Sequence, residues 1–194
     1  MSISENKLLS VIVPAAYQEG TIEQDLRKLD VALLGLNFPT EIFVVVDGYI
    51  DQTYQRAQKL KSTRIRVIGY EHNRGKGYAV RFGMARAKGD IIAFIDAGSD
   101  LSPEGISILL EHFRWYSADI VVGSKRHPAS KVKYPWQRKI LSWGYQFLIK
   151  LLFGLSIRDS QVGIKIYRRK VLEDVLPRLL VKRFAFDIEM LAVA

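Results

Sequence analysis

The sequence contains no cysteine among its 194 residues. This absence excludes disulfide bonds and thiolate metal sites, and it fits a reducing compartment such as the cytoplasm. Long apolar runs are also missing, since no stretch reaches the roughly 18 uninterrupted apolar residues expected of a membrane-spanning helix. The first apolar segment, residues 10–13, is too short for the apolar part of a signal peptide. We therefore expect one cytoplasmic domain, because this length suits a single α/β unit.

Acidic residues are scarce in one part of the chain. Residues 1–123 carry 14 Lys or Arg and 15 Asp or Glu, whereas residues 124–183 carry 15 basic and three acidic residues. The second segment, which we call the basic block, has a net charge of +12. The rest of the chain is slightly acidic, which brings the net charge of the whole sequence to +9. Such a block indicates an anionic partner: phosphate, an anionic membrane surface or nucleic acid. A merely solvated basic surface is the alternative.

Apolar segments alternate with helix-compatible segments along the first 123 residues. The expected strands are residues 10–14, 41–46, 64–68, 90–96 and 119–123. The expected helices are residues 21–34, 51–60, 76–87 and 103–115. Thr21 is the predicted N-cap of the first helix, and Pro103 is placed to open the last. Buried strands separated by helices favour an α/β fold with a mostly parallel sheet covered on both faces.

The basic block contains a different kind of segment. Residues 135–155 form an amphipathic helical pattern that is apolar almost all round, interrupted by Arg138, Lys139 and Lys150. This pattern is typical of a helix in a membrane interface, and equally of an ordinary buried helix. The chain ends soon after another apolar helical start at residues 187–194, so we interpret it as a shortened form of a longer protein.

Polar residues follow the expected strands at their carboxyl ends, where open parallel sheets bind ligands. Asp47 follows the second strand, and Asp96 ends the fourth. A turn with glycine, arginine and lysine at residues 73–77 precedes a helix start, whose N–H groups favour anions. Acids at the ends of two neighbouring strands beside such a turn predict a site for a phosphorylated ligand with a divalent cation. Taken singly, Asp47 suits a simple turn, and Arg74 and Lys76 suit a solvated loop.

The predicted cation is Mg²⁺ or Mn²⁺. Asp96 is the candidate ligand, and Asp100 is expected to assist directly or through water, because one or two carboxylates suffice when phosphates complete the site. The cation would stabilise a diphosphate as it leaves. Arg74 and Lys76 are predicted to bind phosphate, and Asp47 to accept hydrogen bonds from a nucleobase or ribose.

Several segments together resemble a known family. They follow one another in the family's order and are residues 10–14, 17–19, 46–53, 73–79, 96–98, 159–165 and 186–189. Tyr17-Gln18-Glu19 resembles a Tyr-Asn-Glu loop, and residues 46–53 resemble an Asp-Asp-Gly-Ser-x-Asp-x-Thr turn. Asp96-Ala97-Gly98 stands where the family has a metal-binding Asp-x-Asp motif. The set is similar to family 2 glycosyltransferases of the GT-A fold, most of all to the polyprenyl- and dolichyl-phosphate sugar transferases.

The resemblance implies one Rossmann-like GT-A domain over residues 1–194. Residues 1–123 would bind a UDP- or GDP-sugar, and residues 124–194 would face a polyprenyl-phosphate acceptor at the cytoplasmic face of a membrane. It implies direct displacement with inversion and a role in cell-envelope glycan synthesis. The donor-binding residues that it implies are Pro14, Tyr17, Glu19, Asp47, Asn73, Arg74, Lys76, Asp96 and Lys165.

On the acceptor side, the resemblance implies that Arg126 and Arg138 hold phosphate and that Asp159 lines the site. Arginine suits phosphate because its planar fork binds two oxygens. A phosphate acceptor is already anionic and needs charge compensation more than a base. A hydroxyl acceptor requires a general base, for which Asp187 is the candidate. Asp187 and Glu189 equally suit an acidic pair at a helix N-terminus.

The sequence departs from the family pattern at three places. One extra residue separates Pro14 from Tyr17, Val46 replaces an aspartate, and Gly98 replaces the second aspartate of the metal motif. A sugar-nucleotide-binding module without catalysis therefore remains an alternative, as does a family 2 enzyme that acts on a glycan or protein hydroxyl. Nucleic-acid binding is not expected, because no recognised motif accompanies the basic block.

Overall fold

The computed structural model describes residues 7–36, 38–98, 105–124, 154, 163–181 and 185–194. The described strands are β1 Leu9–Ala15, β2 Thr40–Asp47, β3 Ile65–Tyr70, β4 Ile91–Ile95, β5 Ile120–Val122 and β6 Ile164–Arg168. The described helices are α1 Ile22–Leu34, α2 Thr53–Gln58, α3 Lys76–Met84, α4 Gly105–Trp115, α5 Arg169–Val175 and α6 Phe186–Val193. A 3₁₀ turn, Leu176–Arg178, follows α5.

The six strands form one sheet in the order β3-β2-β1-β4-β6-β5. The four strands from β3 to β4 are parallel, whereas β6 runs antiparallel to both β4 and β5. The expected mostly parallel α/β sheet is therefore confirmed. The expectation that the strands ending at Asp47 and Asp96 are neighbours was wrong, because β1 lies between β2 and β4.

Helices cover both faces of the sheet. On one face, alternate residues of β1 pack against the apolar stripe of α1, formed by Leu26, Leu29 and Leu33, and against Phe113 of α4. The i, i+3, i+7 spacing of this stripe places all three leucines on one side of the helix. On the other face, Ile12 packs with residues of α3, α5 and α6. Burying each leucine stabilises the fold by about 1.5–3 kcal/mol.

The first helix begins at the expected place but without the expected cap. Thr21 is the N-cap residue, yet its side chain makes no hydrogen bond to the helix backbone. Its hydroxyl instead donates to Oε1 of Gln18 at 2.9 Å. The Gln18 carbonyl accepts from the N–H groups of Thr21 and Ile22, so the β1–α1 loop closes the helix start through its own backbone.

Strand β6 was absent from the expected elements. Its charged residue Lys165 interrupts an apolar alternation, yet its residues 164–167 are all buried. Pro103 and, apart from residue 154, the helical pattern at residues 135–155 lie outside the described residues. No helix in the described part of the chain is both long enough and apolar enough to span a bilayer.

Candidate functional site

A cleft of about 540 Å³ opens at the carboxyl ends of β1, β2 and β4, a size typical of small-molecule sites. It is lined by Pro14, Ala15, Ala16, Tyr17, Gln18, Asp47, Asn73, Gly75, Lys76, Asp96 and Ala97. Six of the nine predicted donor-binding residues are in this lining. The structure thus brings residues from four separate loops to one edge of the sheet.

Asp47 anchors the loop that precedes α3. Its Oδ1 accepts hydrogen bonds from the Tyr70 hydroxyl at 2.9 Å and from the backbone N–H of Arg74 at 2.7 Å. Its Oδ2 accepts from the N–H of Gly75 at 2.9 Å, and its carbonyl accepts from Nδ2 of Asn73 at 3.0 Å. Burial and the bond to Asp47 raise the pKa of Tyr70, so this donor stays protonated. Asp47 therefore holds residues 73–75 in place with neutral donors.

The turn after Asp47 depends on glycine. Gly48 has a φ of +88°, and a Cβ built on it would lie 2.7 Å from the backbone nitrogen of Asn73. A side chain at this position would push the 73–75 loop away from β2, because no real Cβ approaches backbone so closely. Asp47 thus binds the 73–75 loop through hydrogen bonds, and Gly48 allows this loop to lie close to β2.

Asp96 forms a salt bridge with Lys76. The ammonium of Lys76, the first residue of α3, lies 2.9 Å from both carboxylate oxygens of Asp96. The Asp96 side chain is 28% exposed and the Lys76 side chain 19% exposed. Both groups therefore face the cleft but are partly shielded from solvent. This shielding makes their charges interact more strongly than they would in bulk water.

A second salt bridge lies beneath the first. Lys165 of β6 is fully buried, and its Nζ lies 2.7 Å from Oδ1 of Asp187 on α6. The other oxygen of Asp187 lies 3.8 Å from Nζ of Lys76. Burial lowers the pKa of Lys165, and the Asp187 carboxylate opposes that shift. We call Lys76, Asp96, Lys165 and Asp187 the charged cluster; its formal charges sum to zero.

Phe94 and Gly163 shape the surroundings of the charged cluster. The Phe94 ring lies 4.8 Å from Nζ of Lys165 and 5.5 Å from Nζ of Lys76, distances at which a ring attracts a cation. The carbonyl of Gly163 accepts the N–H of Asp96 at 3.0 Å. A Cβ on Gly163 would lie 2.9 Å from Cγ of Asp96, so only glycine leaves room for this carboxylate.

The fit of a divalent cation depends on Asp96. In the described part of the chain, no group of three or more His, Cys, Asp or Glu side chains is arranged to hold a metal ion. A cation shared with a diphosphate needs only one or two protein carboxylates. Asp96 meets that requirement, because it lines the cleft and its side chain is partly exposed there. The residues present therefore fit a cation that binds together with a diphosphate.

Three predicted donor-binding residues lie outside the cleft lining. Glu19 accepts the N–H of Gln52 at 3.0 Å and thereby ties the β1–α1 loop to the start of α2. The guanidinium of Arg74 donates to the hydroxyl of Tyr78 at 2.9 Å and lies over its ring. Lys165 lies below the cleft in the charged cluster. Their donor contacts stay predictions.

Tyr17 lies at the mouth of the cleft, where its backbone is strained. Its φ is +54°, in the left-handed region that side-chain-bearing residues rarely adopt. Its ring is largely exposed. Strained residues of this kind cluster at ligand-binding sites, which favours the predicted role of Tyr17. Asp100, Arg126, Arg138 and Asp159 lie outside the described residues.

Sequence reasoning missed two contributors to the site. Tyr70 holds Asp47, and the strand register that pairs the two residues would have revealed it. Gln18 lines the cleft, and its Oε1 would lie 2.6 Å from a Cβ on Gly98. Gln18 was part of the loop segment that resembles the family but was not predicted to bind the donor, although its position beside Tyr17 was a signal.

Residues 10–176 match the family model described as glycosyl transferase family 2. The chain belongs to this family. The resemblance to family 2 glycosyltransferases that was drawn from the motifs is therefore confirmed. The match begins at β1 and ends at the 3₁₀ turn, so it includes the whole cleft.

Curated relatives carry consistent names. The chain is 35% identical over 202 residues to a dolichyl-phosphate beta-glucosyltransferase of Drosophila melanogaster, covering 96% of this chain and 62% of the relative. It is 33% identical to a human protein of the same name, with coverages of 98% and 64%. It is also 33% identical to a dolichol-phosphate mannosyltransferase of Pyrococcus furiosus, with coverages of 86% and 48%. The chain thus spans less than two thirds of each of these relatives.

Solved structures confirm the fold. Glucosyl-3-phosphoglycerate synthase of Mycobacterium tuberculosis, crystallised with Mn²⁺, UDP-glucose and phosphoglyceric acid, superposes with a TM-score of 0.72 at 20% identity. The superposition covers 95% of this chain and 64% of that protein. Mannosyl-3-phosphoglycerate synthase of Rubrobacter xylanophilus gives a TM-score of 0.70 at 17% identity, with coverages of 87% and 56%. These are GT-A glycosyltransferases, so the expected GT-A fold is confirmed.

Proposed function

We propose that this protein transfers a sugar from a UDP- or GDP-sugar to a polyprenyl phosphate at a membrane surface. The observation that carries the proposal is the cleft at the strand ends, where Lys76 and Asp96 stand beside the start of α3. The names of the curated relatives support the acceptor class, since they describe transfer to dolichyl phosphate. Mn²⁺ and UDP-glucose in a structural relative support the donor class.

The loop held by Asp47 suits a diphosphate. It delivers Lys76 and the N-terminus of α3 to the cleft, and helix N-termini attract anions through their free N–H groups. Asp96 would hold Mg²⁺ or Mn²⁺, which would stabilise the departing diphosphate. Lys76 would bind phosphate oxygens as a flexible point charge. Asp47 lines the cleft, and a carboxylate oxygen can accept more than one hydrogen bond, so contact with a ribose or base stays part of the proposal.

The state of Asp187 favours a phosphate acceptor. A general base must reach the proton that it removes, but Asp187 is buried, lies outside the cleft lining and is paired with Lys165. A phosphate needs no base, because its oxyanion attacks the anomeric carbon directly. The new bond joins that carbon to the acceptor oxygen, the bond to the donor diphosphate breaks, and the nucleoside diphosphate leaves with the electron pair. Attack from the opposite side inverts the anomeric centre.

A donor screen tests the proposal. UDP- and GDP-sugars are incubated with the protein, a short-chain polyprenyl phosphate and Mn²⁺ or Mg²⁺, and released nucleoside diphosphate and glycolipid are measured. We expect one donor to give both products, and Asp96→Ala to give neither. Binding of a donor without any product would instead favour the binding module suggested by Val46 and Gly98.

Acceptor chemistry is tested by comparing three variants with the identified donor. If the acceptor is a phosphate, Arg126→Ala and Arg138→Ala should lower kcat/KM more than Asp187→Asn does. A hydroxyl acceptor reverses this order, because a general base contributes roughly 100- to 10,000-fold in rate. Asp187→Asn also breaks the buried pair with Lys165, so circular dichroism must first show that the variant is folded. A folded but inactive Asp187→Asn beside active arginine variants would replace the phosphate proposal with transfer to a glycan or protein hydroxyl.

The proposed membrane surface is tested by vesicle flotation. The +12 charge of the basic block should bring the protein to vesicles with anionic lipids, with about 1 kcal/mol from each basic residue near the surface. Neutral vesicles are the control, and added salt should weaken binding because it screens charge. No flotation with anionic vesicles at low salt would remove the peripheral-membrane part of the proposal.

A further inference from the structure

Lys76 occupies the side of Asp96 that a cation would use. Its Nζ lies 2.9 Å from Oδ1 and 2.9 Å from Oδ2, so it faces both oxygens of the carboxylate. Hard cations such as Mg²⁺ bind carboxylates through the same oxygens. An ammonium and a divalent cation therefore compete for Asp96.

The charges nearby make this competition strong. With Lys76 on Asp96, the charged cluster is neutral, because Lys165 balances Asp187 at 2.7 Å. A divalent cation placed on Asp96 would add two positive charges beside the ammonium of Lys76. Both side chains are less than a third exposed, so solvent only partly screens the repulsion. The cation alone should bind weakly while Lys76 stays in place.

A diphosphate removes the conflict. Lys76 begins α3 at the cleft, and its four-carbon stem lets the ammonium move by several ångströms without a change in the backbone. Phosphate oxygens offer this ammonium a new partner and offer the cation additional ligands. Asp187 holds Lys76 more weakly than it holds Lys165, since Nζ of Lys76 lies 3.8 Å from its carboxylate and Nζ of Lys165 lies 2.7 Å from it.

We propose that Lys76 is an exchangeable counter-ion. It pairs with Asp96 while the cleft holds no donor. When a donor binds together with a divalent cation, the cation takes its place on Asp96 and the ammonium of Lys76 binds the diphosphate. This inference rests on the proposed function in taking a nucleoside diphosphate as the ligand. It makes cation binding depend on the donor, so the protein holds little Mn²⁺ by itself. Lys76 is thus a positioning residue for the cation as well as a ligand of phosphate.

The experiment measures Mn²⁺ affinity by electron paramagnetic resonance, which detects free Mn²⁺ and needs no enzymatic turnover. Wild type, Lys76→Met and Lys76→Gln are titrated alone and with saturating UDP or GDP. Without nucleotide, we expect both variants to bind Mn²⁺ on the order of tenfold more tightly than wild type, a typical size for coupling between two sites. Nucleotide should strengthen Mn²⁺ binding to wild type, and by a smaller factor in both variants.

Two controls locate the effect. Lys170→Met removes the same charge from an exposed position on α5 and should leave Mn²⁺ affinity unchanged. Asp96→Asn should abolish Mn²⁺ binding in the wild-type and Lys76→Met backgrounds, because both use this carboxylate. Circular dichroism of each variant verifies the fold, and Lys76→Gln keeps a polar group if methionine perturbs it.

Equal or weaker Mn²⁺ binding by both Lys76 variants would overturn the inference, as would a wild-type affinity that nucleotide does not change. The transfer assay with polyprenyl phosphate is a separate measurement. Its failure beside the expected Mn²⁺ pattern would reject the proposed acceptor and leave the role of Lys76 standing. Successful transfer with an unaltered Mn²⁺ affinity in both variants would reject the role of Lys76 alone.

Discussion

Asp47 and Asp96 stand at the same edge of the sheet, one on each side of β1, yet they are held in different ways. Asp47 is almost fully buried and accepts hydrogen bonds from two backbone N–H groups and one hydroxyl. Asp96 is more exposed and faces the ammonium of a flexible side chain. Backbone donors cannot leave without unfolding the loop, whereas a lysine can. Asp47 therefore suits a structural anchor, and Asp96 suits a group that changes partners.

The largest effect on activity should follow from Asp96→Ala. Loss of the carboxylate would remove the ligand of the proposed cation, whose stabilisation of the leaving diphosphate contributes several kcal/mol, so we expect no detectable transfer. The measurement is kcat/KM in the transfer assay, with EDTA-treated wild type beside it. Circular dichroism should be unchanged. Activity that survives both the substitution and EDTA would show that Asp96 has no metal role.

Removing Lys165 should mainly cost stability. Lys165→Met leaves Asp187 buried without its nearest counter-charge, which typically destabilises a fold by about 3–5 kcal/mol. Urea denaturation measures the change in the free energy of unfolding. Asp119→Asn breaks the exposed pair with Arg168 and serves as a control, with an expected change of about 0–1 kcal/mol. Similar values for the two variants would contradict the difference between the buried and exposed pairs.

The anchor role of Asp47 predicts an intermediate effect. Asp47→Ala leaves Tyr70 and the N–H groups of Arg74 and Gly75 without their acceptor. We expect a loss of about 2–3 kcal/mol in the free energy of unfolding, because the partly exposed loop recovers some bonds from water. Asp47→Asn keeps one acceptor oxygen and should lose less. An unchanged melting temperature for the alanine variant would refute the anchor.

The smallest effect is expected from Gly98→Asp, which restores the second acid of the family motif. Gly98 has a φ of +66°, and a Cβ there would point at the side chain of Gln18. The left-handed backbone costs a side-chain-bearing residue roughly 1–2 kcal/mol, at the low end for aspartate. We expect a slightly lower melting temperature and no gain in Mn²⁺ affinity. A clear gain would show that the new carboxylate reaches the cation and that the loop adapts.

The sequence predicts the parallel part of the sheet well, because strands buried on both faces are continuous apolar runs. It did not reveal β6, since Lys165 looks solvent-exposed until α6 brings Asp187 within 2.7 Å. Motif order likewise identified Asp47, Lys76 and Asp96 as cleft residues. The motifs did not reveal the partners of these residues. Asp47 binds backbone N–H groups and Asp96 binds an ammonium because of how separate loops meet in the folded chain.

The position of β6 has a consequence for how the chain is made. Strand β6 lies between β4 and β5, although it is synthesised after both. Until residues 164–168 emerge from the ribosome, β4 has an open edge, β5 lacks β6, the strand with which it pairs, and the Gly163 carbonyl does not yet accept the N–H of Asp96. The segment that begins at Gly163 therefore completes both the sheet and the surroundings of Asp96, and the cleft reaches its final form only when this later segment has folded onto the earlier part of the chain.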